Sequence, residues 1–200
     1  SNFPHTHLDM IFIPSNIYVN KYFMKTLFHE KCHNLQREYP DQFKCLYTNY
    51  WPFYLAKNII NEPSVCDTRL NPDTENLKYI YIDNSDENNI KYYYMTTLIN
   101  KNASHLSHVT NYFIEVDKKQ DEPDTFILYS DRKIKMANHS HFNNISKLSN
   151  NNYHVNEISA EMFSIYVMEL YNSKKTLDSF LYTRFKEWIS DFLNDVLFCM

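Results

Sequence analysis

The chain has 200 residues, 44% of them hydrophobic and 16% aromatic, enough apolar surface for a packed core and too much for an intrinsically disordered protein. A formal net charge of -4 lacks the concentrated basic surface of a nucleic-acid binder. No run approaches the roughly 18 apolar residues of a membrane-spanning helix, so no membrane span is expected.

Glycine is absent, so turns fall to Pro, Asp and Asn, as at Asn88-Asn89, Asn143-Asn144 and Asn150-Asn151-Asn152. Cys32, Cys45, Cys66 and Cys199 form no CxxC pair. That spacing favours free thiols in a reducing compartment and a cytoplasmic location, although an even count leaves bridges open. The chain opens on Ser1 and not on Met, which leaves room for a preceding N-terminal segment. No internal repeat or linker divides it, so a single domain over 1–200 is the economical reading.

In chain order, Leu8 to Ile13 reads as a short strand stopped by Pro14. From Asn20 to Glu38 apolar residues recur at three- and four-residue spacing (Phe23, Leu27, Phe28, Cys32, Leu35), a helix closed by Pro40. An aromatic-rich second helix is expected from Asp41 to about Ile60, kinked at Pro52. The centre is strand-like: Leu77 to Ile82, Ile90 to Leu98, Val109 to Val116 and Thr125 to Tyr129 carry β-branched and aromatic residues between polar turns. Asp131 to Asn152 reads as a loop with room for one short helical turn. Two helices close the chain, Glu157 to Asn172 with Asn156 as cap and Thr176 to Phe198 with one apolar face.

The first long helix carries His29-Glu30-Lys31-Cys32-His33, an HExxH motif. Two histidines four apart on a helix share one face and can reach a single ion. The intervening Glu30 is placed to act as general base on a water at the metal's open position. A catalytic zinc takes three protein ligands, so a third is required. Asn156-Glu157-Ile158-Ser159-Ala160-Glu161 offers two carboxylates one turn apart on a later helix. With that segment the chain resembles the gluzincin metallopeptidases, whose later helix carries Asn-Glu-x-x-x-Asp/Glu. The resemblance implies Glu157 as third ligand and Glu161 as the acid that accepts a hydrogen bond from His29. The gap between the two motifs is longer than in thermolysin-like members, and Glu161 stands where Asp is usual. A slipped register, with Glu161 on the metal and Glu157 outside it, therefore stays open.

His154 is a further candidate, as a ligand or as a donor to a developing oxyanion, set against a plain loop histidine. His5-Thr6-His7 and His139-Ser140-His141 read as solvent-exposed pairs. Tyr92-Tyr93-Tyr94 should point alternately to both faces of a strand, and Asp131 to Lys135 should be a solvated charge cluster. The expectation is an α+β, zincin-like fold in which the motif helix faces the Glu157 helix, with mixed or antiparallel strands at the centre. It would bind Zn2+ and hydrolyse a peptide or protein substrate. The alternative is a zincin-like metal-binding module without peptidase activity.

Overall fold

A computed structural model describes residues 4–18, 22–61, 63, 68, 78–99, 109–149, 151–172 and 177–198. Two short strands, β1 (His5–His7) and β2 (Met10–Phe12), pair antiparallel as a hairpin, with Leu8 and Asp9 at its turn. The expected strand from Leu8 is thus interrupted at its start. Leu8 adopts a left-handed φ of 53°, which ends the first strand and reverses the chain. A four-residue helix, α1 (Ser15–Tyr18), follows.

The motif helix is α2 (Phe23–Glu38), and Asn20, where it was expected to begin, lies outside the described residues. Its buried residues are Glu30, Cys32, His33, Asn34 and Gln36. A helix whose buried side is this polar has to satisfy those groups through specific partners.

The expected helix from Asp41 to Ile60 is half wrong. Helix α3 (Pro40–Cys45) runs into one π-helical turn at Leu46–Tyr50, and the rest is extended, as β3 (Phe53–Ala56) and β4 (Asn58–Ile60). Pro52 supplies no N–H for a continuing helix. Beyond it, Phe53 to Ala56 find a full row of sheet partners from Tyr81 back to Lys78. Tertiary pairing decides what local aromatic content leaves ambiguous.

Four longer strands follow: β5 (Lys78–Asp83), β6 (Lys91–Ile99), β7 (Val109–Lys118) and β8 (Thr125–Lys135). The six-stranded sheet has the order β3-β5-β6-β7-β8-β4. It is mixed: β4 runs parallel to β8 and the other neighbours are antiparallel. β8 continues six residues past the expected end at Tyr129, through the exposed Asp131–Lys135 run. A register shift between Ile114 and Val116 of β7 allows this extension to pair, as a bulge does by bending the strand.

The expected loop up to Asn152 contains a 3-10 turn at Met136–Asn138 and α4 (Ser140–Ser146), capped by the His139 side chain. Helices α5 (Val155–Asn172) and α6 (Phe180–Phe198) complete the chain, α6 starting later than Thr176, itself outside the described residues. Asn156 lies inside α5. The capping group is His154, whose Nδ1 accepts from the Asn156 backbone N–H at 3.2 Å.

The helices and one face of the sheet enclose the larger core, with Tyr47, Trp51, Tyr81, Tyr93, Phe113, Phe142, Tyr182 and Phe185 buried in it. Ile80, Ile114, Val116, Phe126 and Leu128 form a second cluster, with Tyr92 and Tyr94 packed against it. The tyrosine triplet thus alternates between faces, Tyr93 to one core and its neighbours to the other. Among the described residues, no helix is long and apolar enough to cross a membrane.

Candidate metal centre

Helix α2 carries two polar stripes. His29, His33 and Gln36 point at α5, where they meet Glu157, Asn156 and Ser159. Glu30, Asn34 and Arg37 lie one position round the helix. The Asn34 amide donates to the Asp9 carbonyl at 3.0 Å and Arg37 to the Leu8 carbonyl at 3.0 Å, so the β1–β2 turn is tied to that second stripe. Glu30 therefore sits on the side of the helix that the hairpin covers, and its residue exposure is only 5%.

On the first stripe, the Nε2 atoms of His29 and His33 are 3.2 Å apart. Glu157 brings Oε2 to 3.2 Å from His29 Nε2 and Oε1 to 3.6 Å from His33 Nε2. One donor atom from each residue lies within 4.8 Å of the others. Ligands about 2.0–2.1 Å from a tetrahedral ion stand roughly 3.3–3.4 Å from one another. The observed separations bracket that edge length, so the donor set fits a zinc-sized ion. Two imidazoles and a carboxylate also suit a borderline cation such as Zn2+.

The second carboxylate occupies a different position. Glu161 Oε2 faces the opposite ring nitrogen of His29, Nδ1, at 3.6 Å, and its other oxygen pairs with Lys25. The geometry thus brings Glu157 to the shared Nε2 side and leaves Glu161 behind His29. Burial works against charge on His29, but the facing carboxylates of Glu157 and Glu161 and the charge of Glu30 outweigh it, and the pKa is pushed up to about 10. Burial likewise opposes ionisation of Glu161, yet His29 and Lys25 bring it down to about 2. Glu157 is also held below the usual carboxylate range: burial opposes its charge, but the His29 hydrogen bond and the neighbouring imidazoles of His33, His29 and His154 prevail.

Behind His33 lies a buried polar network that the motif does not reveal. His33 Nδ1 is 2.8 Å from Gln36 Oε1, and the Gln36 amide nitrogen is 2.8 Å from both the Asn156 carbonyl and Ser159 Oγ. Tyr47, in the π-helical turn, places its hydroxyl 2.8 Å from Ser159 Oγ. The only signal in the sequence was spacing, since Gln36 continues the His29, His33 stripe. Lys25, one turn before His29, could have been found in the same way.

The remaining histidines divide. His154 precedes α5 near Glu157, whose ionised form it favours. Of the first HxH pair, His7 is exposed and His5 is half-buried, stacked on Phe12 with ring centroids 5.0 Å apart. The second pair overturns the expectation of solvent exposure. His139 is buried, with Nε2 3.3 Å from Asp83 Oδ2, and His141 is half-buried, with Nδ1 2.8 Å from Asp83 Oδ1 and 2.7 Å from the Tyr81 hydroxyl. Because His139 Nδ1 accepts from the Phe142 backbone N–H at 3.3 Å, its Nε2 carries the proton and donates to Asp83. Burial keeps His139 neutral by lowering its pKa, ahead of the opposing pull of Asp83. Asp83 joins the end of β5 to the start of α4, and its partner histidines lie too far along the chain for any local pattern to connect them.

Cys32 is buried, Cys45 half-buried, and both are free thiols; Cys66 and Cys199 lie outside the described residues. In comparisons with known proteins, no family model, curated protein or solved structure matches this chain.

Proposed function

We propose that the protein is a zinc-dependent hydrolase acting on peptide bonds, with His29, His33 and Glu157 as metal ligands and Glu30 as general base. One observation carries this reading. Two helices separated by a whole sheet bring two imidazole Nε2 atoms and a carboxylate to within 4.8 Å of one another. Two imidazoles and a carboxylate converging on one point in a buried setting match the donor set that zinc takes from a protein.

Zinc held there would supply the Lewis acidity that polarises a carbonyl and acidifies a water. The chain's own groups do the rest. Gln36 fixes the far nitrogen of His33 by a hydrogen bond, and the Glu161 carboxylate faces the far nitrogen of His29 at 3.6 Å as an ion pair. Glu30, next to His29 on the helix, takes a proton from the attacking water and returns it to the leaving amine. His154 accepts the Asn156 N–H at Nδ1, which puts its ring proton on Nε2, and that N–H would stabilise charge developing on the carbonyl oxygen.

The rival is a metal-binding module without turnover. The near-complete burial of Glu30 favours it, because a general base has to reach water and substrate. Metal analysis of protein purified without added zinc tests the site: near-stoichiometric zinc is expected, and none would end both readings. A comparison of wild type with Glu30→Gln on a broad peptide library then separates them. Cleavage by wild type alone supports the hydrolase, whereas equal cleavage or none leaves the binding module.

A further inference from the structure

We propose that Gln36 is the positioning residue of the metal site, setting the tautomer of His33 and the register of α2 against α5. The inference rests on the metal reading above for its consequence, though its structural half can be read without metal.

The proton positions follow from what each group can do. The Asn156 carbonyl can only accept, so the Gln36 atom 2.8 Å from it must be the amide nitrogen. That orientation turns Oε1 towards His33 Nδ1, at 2.8 Å. A carbonyl oxygen can only accept as well, so Nδ1 must carry the ring proton. The neutral ring then has its lone pair on Nε2, the atom facing His29 and Glu157.

The remaining network closes consistently. Ser159 donates to the Asn156 carbonyl at 3.0 Å and accepts from Tyr47 and from Gln36. Gln36, Tyr47 and Ser159 are 5%, 2% and 0% exposed, so water does not compete for these bonds. The same amide that orients His33 is bonded to the residue preceding Glu157. The presentation of one ligand and the approach of another are therefore linked through one side chain.

Neither a carboxylate nor an apolar side chain of similar size does both. A carboxylate at this position still accepts from His33 but faces the Asn156 carbonyl with like polarity. Methionine keeps the volume and loses both bonds. Asparagine is one methylene too short to span the helices. This gives two discriminating variants, Gln36→Met and Gln36→Glu.

The first readout is the His33 tautomer in metal-free protein, from long-range proton–nitrogen NMR of the imidazoles at a pH where the ring is neutral. Wild type should show the Nδ1–H form, and Gln36→Met a mixture or the Nε2–H form. Gln36→Glu, which keeps the acceptor, should restore Nδ1–H. The second readout is zinc affinity by chelator competition. It should fall about 10–100-fold in Gln36→Met at unchanged helix content, the usual cost of losing such a support.

An Nδ1–H ring and wild-type affinity in Gln36→Met would overturn the proposal. So would an Nε2–H ring in Gln36→Glu, which carries the test alone if Gln36→Met fails to fold. A wild type with the Nδ1–H tautomer that takes up no zinc overturns the metal reading only, because control of the ring is read without the ion.

Discussion

Glu157 and Glu161 are the same residue one helical turn apart, and their surroundings give them different work. Glu157 shares the space between two Nε2 atoms, while Glu161 stands behind one ring and is held by Lys25. Glu157→Ala should therefore abolish stoichiometric zinc binding. Glu161→Ala should retain zinc with affinity weakened about 10-fold, as loss of a supporting carboxylate does elsewhere. Metal analysis with chelator competition reads both, and the reverse pattern would hand the ligand role to Glu161.

The same charges set a pH dependence in metal-free protein. Glu161 falls from 4.5 to about 2 on folding, so its contribution is complete above about 4.5 and is lost as pH falls through about 2. His29 rises from 6.5 to about 10, so its contribution is complete below about 6.5 and is lost as pH climbs through about 10. Melting temperature in the presence of a chelator should be highest between roughly pH 4.5 and 6.5 and decline on both sides. A curve still rising above pH 8 would contradict this assignment.

At the level of elements, periodicity revealed what was locally encoded and missed what depended on distant partners. β6 and β7 were legible because β-branched and aromatic residues fill them without helical spacing. The motif helix and α5 were legible because apolar spacing and the HExxH and Glu157/Glu161 pairs agree. Phe53 to Ile60 was not, since its aromatic content suits either structure and its strand partners are Lys78–Tyr81 and Thr125–Ile127. β8 was cut short because Asp131 to Lys135 reads as a solvated charge run, and it is one, although its last three residues pair with β7 beyond a register shift.

His139 and His141 looked like surface residues for a related reason: the carboxylate that holds them belongs to β5. That link is testable. Asp83→Ala removes the carboxylate that both histidines share and loosens α4 from the sheet, at a cost of about 2–3 kcal/mol for charge-assisted hydrogen bonds. A lower urea midpoint should report the loss. Faster exchange of the Phe142 amide, which bonds to His139, should show that α4 loosens first. An unchanged midpoint would mean that the aromatic packing around His139 holds α4 by itself.

For the molecule as a whole, the sheet separates two cores, and the candidate metal centre borders only one of them. Phe126 is fully buried in the far cluster with Ile80, Ile114 and Leu128. Phe126→Ala should cost about 3–5 kcal/mol through the cavity it leaves. Zinc affinity of the protein that remains folded should be unchanged, since α2 and α5 pack elsewhere. Denaturant titration and zinc competition on the same sample give the two numbers, and a fall in affinity would show that the sheet transmits strain to the helices. The site also has a direction in time. Gln36 and the Asn156 it grips are 120 positions apart in the chain, so on the ribosome the two histidines emerge long before the carboxylate that completes their set. An early fragment can offer a pair of imidazoles but not the third donor, and closing so long a loop waits for the sheet to bring the helices together. On the proposed zinc reading, firm retention of the ion would certify finished synthesis and be withheld from any product that stops short of α5.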